Sequence, residues 1–283
     1  GNGYNTQLFQ NYDDSSTVTN NKGYIIEAEA PIYVSVRMNA GGAQAGALVS
    51  KGLSALDTTF RIGTYTSENP ADNYVSFVSV MATEDNTRVT FNDIPPGLRI
   101  ETSTGSTTIT TPVNVTLNEG ESYIIATNSL ESNTNKDGLI GCLVTSSKSV
   151  VVNCGSANGS FGNGGGRDYG IDQIVDLSKV GKEYIFVRGD GSNDWENVLL
   201  VPHTPGTTFS INNGPTTPIR FPYQIIEGDK YNSGGNLYVK TSEPAFAYQG
   251  VGGLDNNNNP NEANQGLFFV PPLSCEARGN LDN

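Results

Sequence analysis

One pattern recurs three times along the chain and leaves little room for anything but β structure. Its copies are Ile26-Glu-Ala-Glu-Ala-Pro-Ile-Tyr-Val-Ser-Val36, Leu143-Val-Thr-Ser-Ser-Lys-Ser-Val-Val-Val-Asn153 and Tyr238-Val-Lys-Thr-Ser-Glu-Pro-Ala-Phe-Ala-Tyr248. Each reads as a short strand, a polar turn and a strand of small or β-branched residues. Each then runs into glycine, at Gly41-Gly42, Gly155, and Gly250 with Gly252-Gly253. Two apolar runs split by a few turn residues form a hairpin. Pro31 and Pro244 stand where a turn gives way to a strand, a place that needs no ladder N–H.

Other elements also repeat. Val78–Phe91, followed by Asn92-Asp93, is echoed by Val198–Ile211, followed by Asn212-Asn213. Both read as a buried strand, a turn and an alternating strand. Residues two apart share a strand face, so Val89/Phe91 and Phe209/Ile211 are expected in a core. Leu117–Tyr123 and Ile226–Tyr231 share a Glu-Gly turn, and Leu53-Ser54, Leu177-Ser178 and Leu273-Ser274 occupy similar contexts. The expected fold class is therefore all-β: tandem β-sandwich-like repeats of antiparallel strands, with short or no helices. The expected divisions are an N-terminal segment with a hairpin (1–45), repeat 1 (46–165), repeat 2 (166–265) and the start of an incomplete third repeat (266–283). Each full repeat has room for six to eight strands. The Gly- and Asn-rich stretches 155–166 and 255–262 read as connectors. Opening on Gly1-Asn2-Gly3-Tyr4, the chain is read as a trimmed or processed region of a larger protein.

Composition narrows the chemistry. Lys+Arg total 16 against Asp+Glu 29, a net charge of −13, which repels a phosphate backbone and argues against nucleic acid as a partner. No apolar run is long enough to span a membrane as a helix. The single histidine, His203, lies in Pro202-His203-Thr204-Pro205; without partners in sequence it reads as a turn residue, not a catalytic base. One His and three dispersed Cys give no zinc spacing, and no nucleophile elbow or phosphate loop is present. Carboxylate pairs that a glycosidase would need, such as Asp168/Asp172, Asp190/Asp194/Glu196 and Glu119/Glu121, are expected mostly in turns. The chain is therefore read as non-catalytic.

Three kinds of site remain candidates. Asp255, Asn257, Asn259 and Glu262 offer hard oxygen ligands in a loop, so Ca²⁺ is the candidate cofactor. Trp195, in the acidic loop with Asp190 and Asp194, and Tyr169 are candidate ligand-binding residues, since an aromatic face can stack on a sugar. Cys142 and Cys154 flank the turn expected at Ser146-Ser147-Lys148, which makes a cross-hairpin disulfide possible and leaves Cys275 over.

The stretch Arg167-Asp-Tyr-Gly-Ile-Asp-Gln-Ile-Val-Asp-Leu-Ser-Lys-Val-Gly-Lys-Glu-Tyr-Ile-Phe-Val187 resembles the N-terminal domain of the IgG-Fc-binding-protein family. Glu262-Ala-Asn-Gln-Gly-Leu-Phe-Phe-Val-Pro-Pro-Leu-Ser-Cys-Glu276 resembles the version found in Bacteroidota. There the module sits in large surface proteins exported by the type IX secretion system, often with a type B sorting domain and linked to gliding motility. The resemblance runs from about residue 23 to the end of the chain. It implies an extracellular, cell-surface, adhesin-like and non-enzymatic role. The implied partners are a glycan or surface-protein ligand and, for the parent protein, the type IX secretion machinery. The alternative reading is a Ca²⁺-assisted carbohydrate-binding module.

Overall fold

The computed structural model describes residues 15–40, 44–161, 168–252 and 265–273. Over these residues the chain is all-β, with sheets curled into half-barrels. The strands of its first part are β1 (Val18–Thr19), β2 (Ser35–Ala40), β3 (Gln44–Val49), β4 (Asp57–Arg61), β5 (Val75–Ala82), β6 (Thr87–Asn92), β7 (Arg99–Ile100), β8 (Thr107–Thr108), β9 (Val113–Leu117), β10 (Ser122–Asn128) and β11 (Leu143–Gly159). There follow β12 (Asp168–Gln173), β13 (Gly181–Val187), β14 (Val198–Pro202), β15 (Thr208–Ile211), β16 (Thr217–Pro218), β17 (Gln224–Ile226), β18 (Asn236–Val251) and β19 (Gly266–Phe269).

None of the three expected hairpins forms within its own segment. Residues 143–159 form one continuous strand, β11, and 236–251 form another, β18. The polar residues that read as turns, Ser146-Ser147-Lys148 and Thr241-Ser242-Glu243-Pro244, lie where the strands shift register against their neighbours. A reversal is unnecessary because each half of the strand finds partners on both edges. In β11, Val144 pairs with Phe60 and Phe91, Val150 with Asp57 and Ala82, and Cys154 with Val78 and Asp172. Strands β6 and β5 thus run end to end along one edge, and β4 and β12 along the other. The second sheet repeats the plan. In β18, Val239 pairs with Tyr184 and Ile211, Ala245 with Gly181 and Pro202, and Tyr248 with Leu199 and Phe269. Bulges of this kind bend a strand and let it change neighbours, and Pro244 sits at one without removing a needed ladder bond. In the first copy only β2 is strand, paired with β3.

The first sheet has eight strands and the second seven. Sheet membership runs one strand ahead of the sequence repeat. Strand β12 leads into the Leu177-Ser178 step of the second repeat yet hydrogen-bonds into the first sheet, and β19 leads into Leu273-Ser274 yet completes the second.

The expected alternation puts Val89 and Phe91 wholly inside and Phe209 nearly so, with Ile211 half-buried. Strand β14 is buried on both faces. Val198 and Leu200 join the second sheet's own core, while Leu199 and Val201 join a larger core built on the first sheet. Phe246, Tyr248, Leu267 and Phe269 enter that larger core as well. Rings pressed on glycine help to close the joint. A Cβ on Gly63 would lie 2.5 Å from the Tyr248 ring, and one on Gly250 would lie 2.8 Å from that of Phe161. The Tyr248 hydroxyl donates to the Arg61 carbonyl at 2.7 Å. The buried Arg61 guanidinium adds a polar link, donating to the Asp93 carboxylate, the Gly141 carbonyl at 2.7 Å and the His203 carbonyl at 3.3 Å.

Candidate functional site

The segment that carries the family resemblance is a seam. On β12, Asp168 and Asp172 are four apart, so both side chains leave the same face, and both are almost completely buried. Asp168 accepts from the Ala45 N–H on β3 and from the Tyr169 N–H. Asp172 takes the Lys51 ammonium at 2.9 and 3.0 Å and the Phe269 N–H of β19 at 3.0 Å. Asp176 accepts from the Thr59 N–H of β4 at 2.7 Å and from Ser178 N–H, so it also caps the turn after β12. Gln173 accepts from the Lys51 N–H at 2.6 Å. Burial raises the carboxyl pKa of Asp168 and of Asp172, an effect that Lys51 opposes at Asp172. These carboxylates are committed to backbone N–H groups and, at Asp172, an ion pair, and Asp168 and Asp172 lie on a strand, not in a turn.

The loop between β13 and β14 is built around one carboxylate. Glu196 is fully buried. It accepts from the N–H groups of Gly189, Gly191 and Gly252, each at 2.9 Å. The Arg188 guanidinium donates to the carbonyls of Gly228 at 2.6 Å and Gly191 at 2.9 Å and to the Asn193 side chain at 2.7 Å. Asp190 and Asp194 stay exposed on the outside of this loop. Trp195 is half-buried, and a Cβ on Gly252 would lie 2.6 Å from its Cβ. The loop therefore brings together Asp190, Asp194 and Trp195. Tyr169 belongs elsewhere, at the crossing of β12 with β3, where a Cβ on Gly46 would lie 2.5 Å from its own.

On the outer face of the first sheet lies a groove of about 390 Å³ lined by Arg88, Thr90, Asn114, Val115, Thr116 and Thr145–Ser147. Strand register explains its chemistry. Thr145, Thr90 and Asn114 are cross-strand neighbours on β11, β6 and β9, and Arg88 lies beside Thr116. They alternate with Val89, Phe91 and Val144, which point into the core, so the outward row is polar by the period of the strand. Thr90 donates to the Asn114 amide oxygen at 2.9 Å, and the Ser147 hydroxyl accepts from the Arg88 N–H at 2.9 Å. No carboxylate pairs with the Arg88 guanidinium among the described residues. The result is an open trough of hydroxyls and an amide beside Val115, with an Arg88 guanidinium that meets no carboxylate among the described residues.

Sequence reasoning passed over this groove because no single residue in it is unusual; only the register assembles it. The proposed Ca²⁺ ligands Asp255, Asn257, Asn259 and Glu262 lie outside the described residues, as does Cys275. Among the described residues no group of three or more His, Cys, Asp or Glu is placed to hold a metal. Cys142 and Cys154 are buried free thiols. The turn expected to set them opposite each other is instead part of β11. Burial pushes the Cys154 thiol up to about 12 and Cys142 in the same direction, which leaves both protonated and unreactive at neutral pH.

The family model described as IgGFc binding protein matches residues 45–278. No curated protein and no solved structure matches the chain.

Proposed function

Because the chain belongs to the IgGFc binding protein family, a binding-type rather than an enzymatic family, we propose that it is an adhesive module of an extracellular, cell-surface protein and that the groove on its first sheet makes the ligand contact. The observation that carries this reading is the trough lined by Thr145, Thr90 and Asn114 and by Arg88, which meets no carboxylate among the described residues. Hydroxyl and amide groups presented by a rigid sheet suit the hydroxyls of a glycan, and a guanidinium suits a carboxylate carried on one. No helix of the described residues is long and apolar enough to cross a membrane. Export by the type IX system and a part in gliding are supported by the likeness of residues 262–276 to the Bacteroidota version of the module.

The test is a glycan array probed with the whole chain and with an Arg88→Ala/Asn114→Ala variant, with IgG Fc as a second probe. Both side chains are on the surface, so folding is expected to be unchanged. Loss of about 1.4–3 kcal/mol of binding, tenfold or more, is the expected result. Equal binding by the variant would remove the groove from the proposal.

A second reading is Ca²⁺-assisted carbohydrate binding, supported by the oxygen-rich sequence from Asp255 to Glu262. Thermal unfolding with millimolar Ca²⁺ against EDTA checks it. A ligand bound only to the folded state raises Tm by mass action, and an unchanged Tm at saturating Ca²⁺ would discard the site.

A further inference from the structure

We propose that the outer edge of β2, with residues 32–34 leading into it, is the docking site for a β-strand of the β5 and β14 type, donated by a further unit of this same repeat. The inference goes beyond the binding role and concerns how units join.

It rests on equivalence within the chain. Strands β3, β12 and β19 are three copies of one element, because Gly46, Gly170 and Gly266 each stand seven residues before Leu53, Leu177 and Leu273. Each pairs with the strand that precedes it: β3 with β2, β12 with the second half of β11, and β19 with the second half of β18. Across the three glycines the partners are Met38, Ser156 and Val251 by register (Met38↔Gly46, Ser156↔Gly170, Val251↔Gly266). Strand β2 therefore occupies the place of the second half of β11 and β18. Pro31 then falls on Pro244, and Tyr33 on Phe246.

The environments differ in one respect. The second half of β11 has β5 on its other edge, and that of β18 has β14. Among the described residues β2 has only β3. The side chains report the missing neighbour. Ile32 is 54% exposed, whereas its equivalents Val150 and Ala245, each with the extra strand beside it, are 0% exposed. Ile25 and Ile26, further back in the same segment, are also more than half exposed. An open edge beside apolar side chains is a template for strand addition. The occupant is specified by what fills the same place twice in this molecule: an antiparallel strand whose inward residues are apolar, as Val78, Val80 and Ala82 are in β5 and, at the matching register positions, Val198 and Leu200 are in β14.

The test tethers a second copy of the β5 sequence, Val75–Ala82, ahead of residue 1 of the whole chain through a flexible Gly/Ser linker, which supplies an effective concentration in the millimolar range. Amide hydrogen exchange of residues 32–40 is then compared with that of the untethered chain and of a control with Val78→Asp and Val80→Asp in the tethered copy alone. The expected result is exchange slowed about tenfold or more by the apolar copy and unchanged by the control. Exchange unchanged by either copy would overturn the proposal, and so would equal slowing by both. Slowing in the untethered chain that grows with protein concentration would also overturn it, by showing that a second copy of the chain occupies the edge.

Discussion

Glu196 is sealed from water, and its carboxylate is shared among three glycine N–H groups. A buried acceptor that satisfies three donors is worth more than its own hydrogen bonds, because its removal strands all of them. Glu196→Ala is expected to cost about 4 kcal/mol or more in urea unfolding. Glu196→Gln should cost less, about 1.5–3 kcal/mol, since an amide keeps one accepting oxygen and its NH₂ faces an N–H. Equal losses for the two would show that the loop is held by something else. Asp172→Ala leaves the Phe269 N–H unpaired and frees Lys51, which is partly exposed and can turn to water; a loss of about 2–3 kcal/mol is expected. His203 adds a pH dependence. Burial, reinforced by nearby Arg61, holds its pKa below the ordinary 6.5. The unfolded chain then binds a proton that the folded chain resists, so stability is full above about pH 6.5 and falls as the pH drops below it. Asp168 and Asp172 act with the opposite sign: their raised values favour the folded state as they take up protons, and that contribution is lost as the pH rises through the carboxylate range. Chemical denaturation at pH 7.5 and 5.5 should show a loss in the parent that His203→Asn largely removes. An unchanged slope in the variant would assign the effect to other groups.

At the scale of strands, the joint between the sheets depends on a ring seated against backbone. With Tyr248 where a Gly63 Cβ would need to be, Gly63→Ala must displace the ring or the strand, at a cost of about 1–3 kcal/mol. If the clash is with the ring, the cost should shrink in a Tyr248→Leu background, and a double-mutant cycle would show strong coupling. Additive effects would mean that the backbone itself, not the ring, is what Gly63 protects. Much of this scale was legible in the residues. The all-β class follows from alternation and turn chemistry, and Val89, Phe91 and Phe209 were placed inward by period alone. The long strands were not legible. Ser146-Ser147-Lys148 and Thr241-Ser242-Glu243-Pro244 have turn composition, but a bulge also takes polar residues, and only partners on both edges, distant in sequence, decide between a reversal and a bend. The same limit hid the groove and the roles of Asp168, Asp172 and Asp176. Their side chains answer N–H groups more than a hundred positions away in Ala45 and Thr59, a distance at which local pattern carries no information.

At the scale of the whole molecule the larger apolar cluster runs from Phe60 on the first sheet to Phe269 on the second through one face of β14, whose other face lies in the second sheet's own cluster. Two sheets that share a core should unfold together. Trp195, the only tryptophan, sits in a loop of the second sheet, whereas far-UV circular dichroism reads both sheets. The two signals are expected to give one urea midpoint, and separated midpoints would show that the sheets fold as independent domains.

The placement of β12 also has a mechanical meaning. Strand β12, which the sequence reading assigns to the second repeat, is laced into the first sheet, and β19, assigned to a third, into the second. Among the described residues, tension between the two sheets meets no free linker between β12 and β13. Load that reaches the second sheet through β13 must first pass the ladder between β12 and β11 and the seam fastened by Asp168, Asp172 and Asp176. The repeats are joined as a rope is spliced, each length woven into the last, so a pull from outside is shared by the molecule before any part of it comes undone.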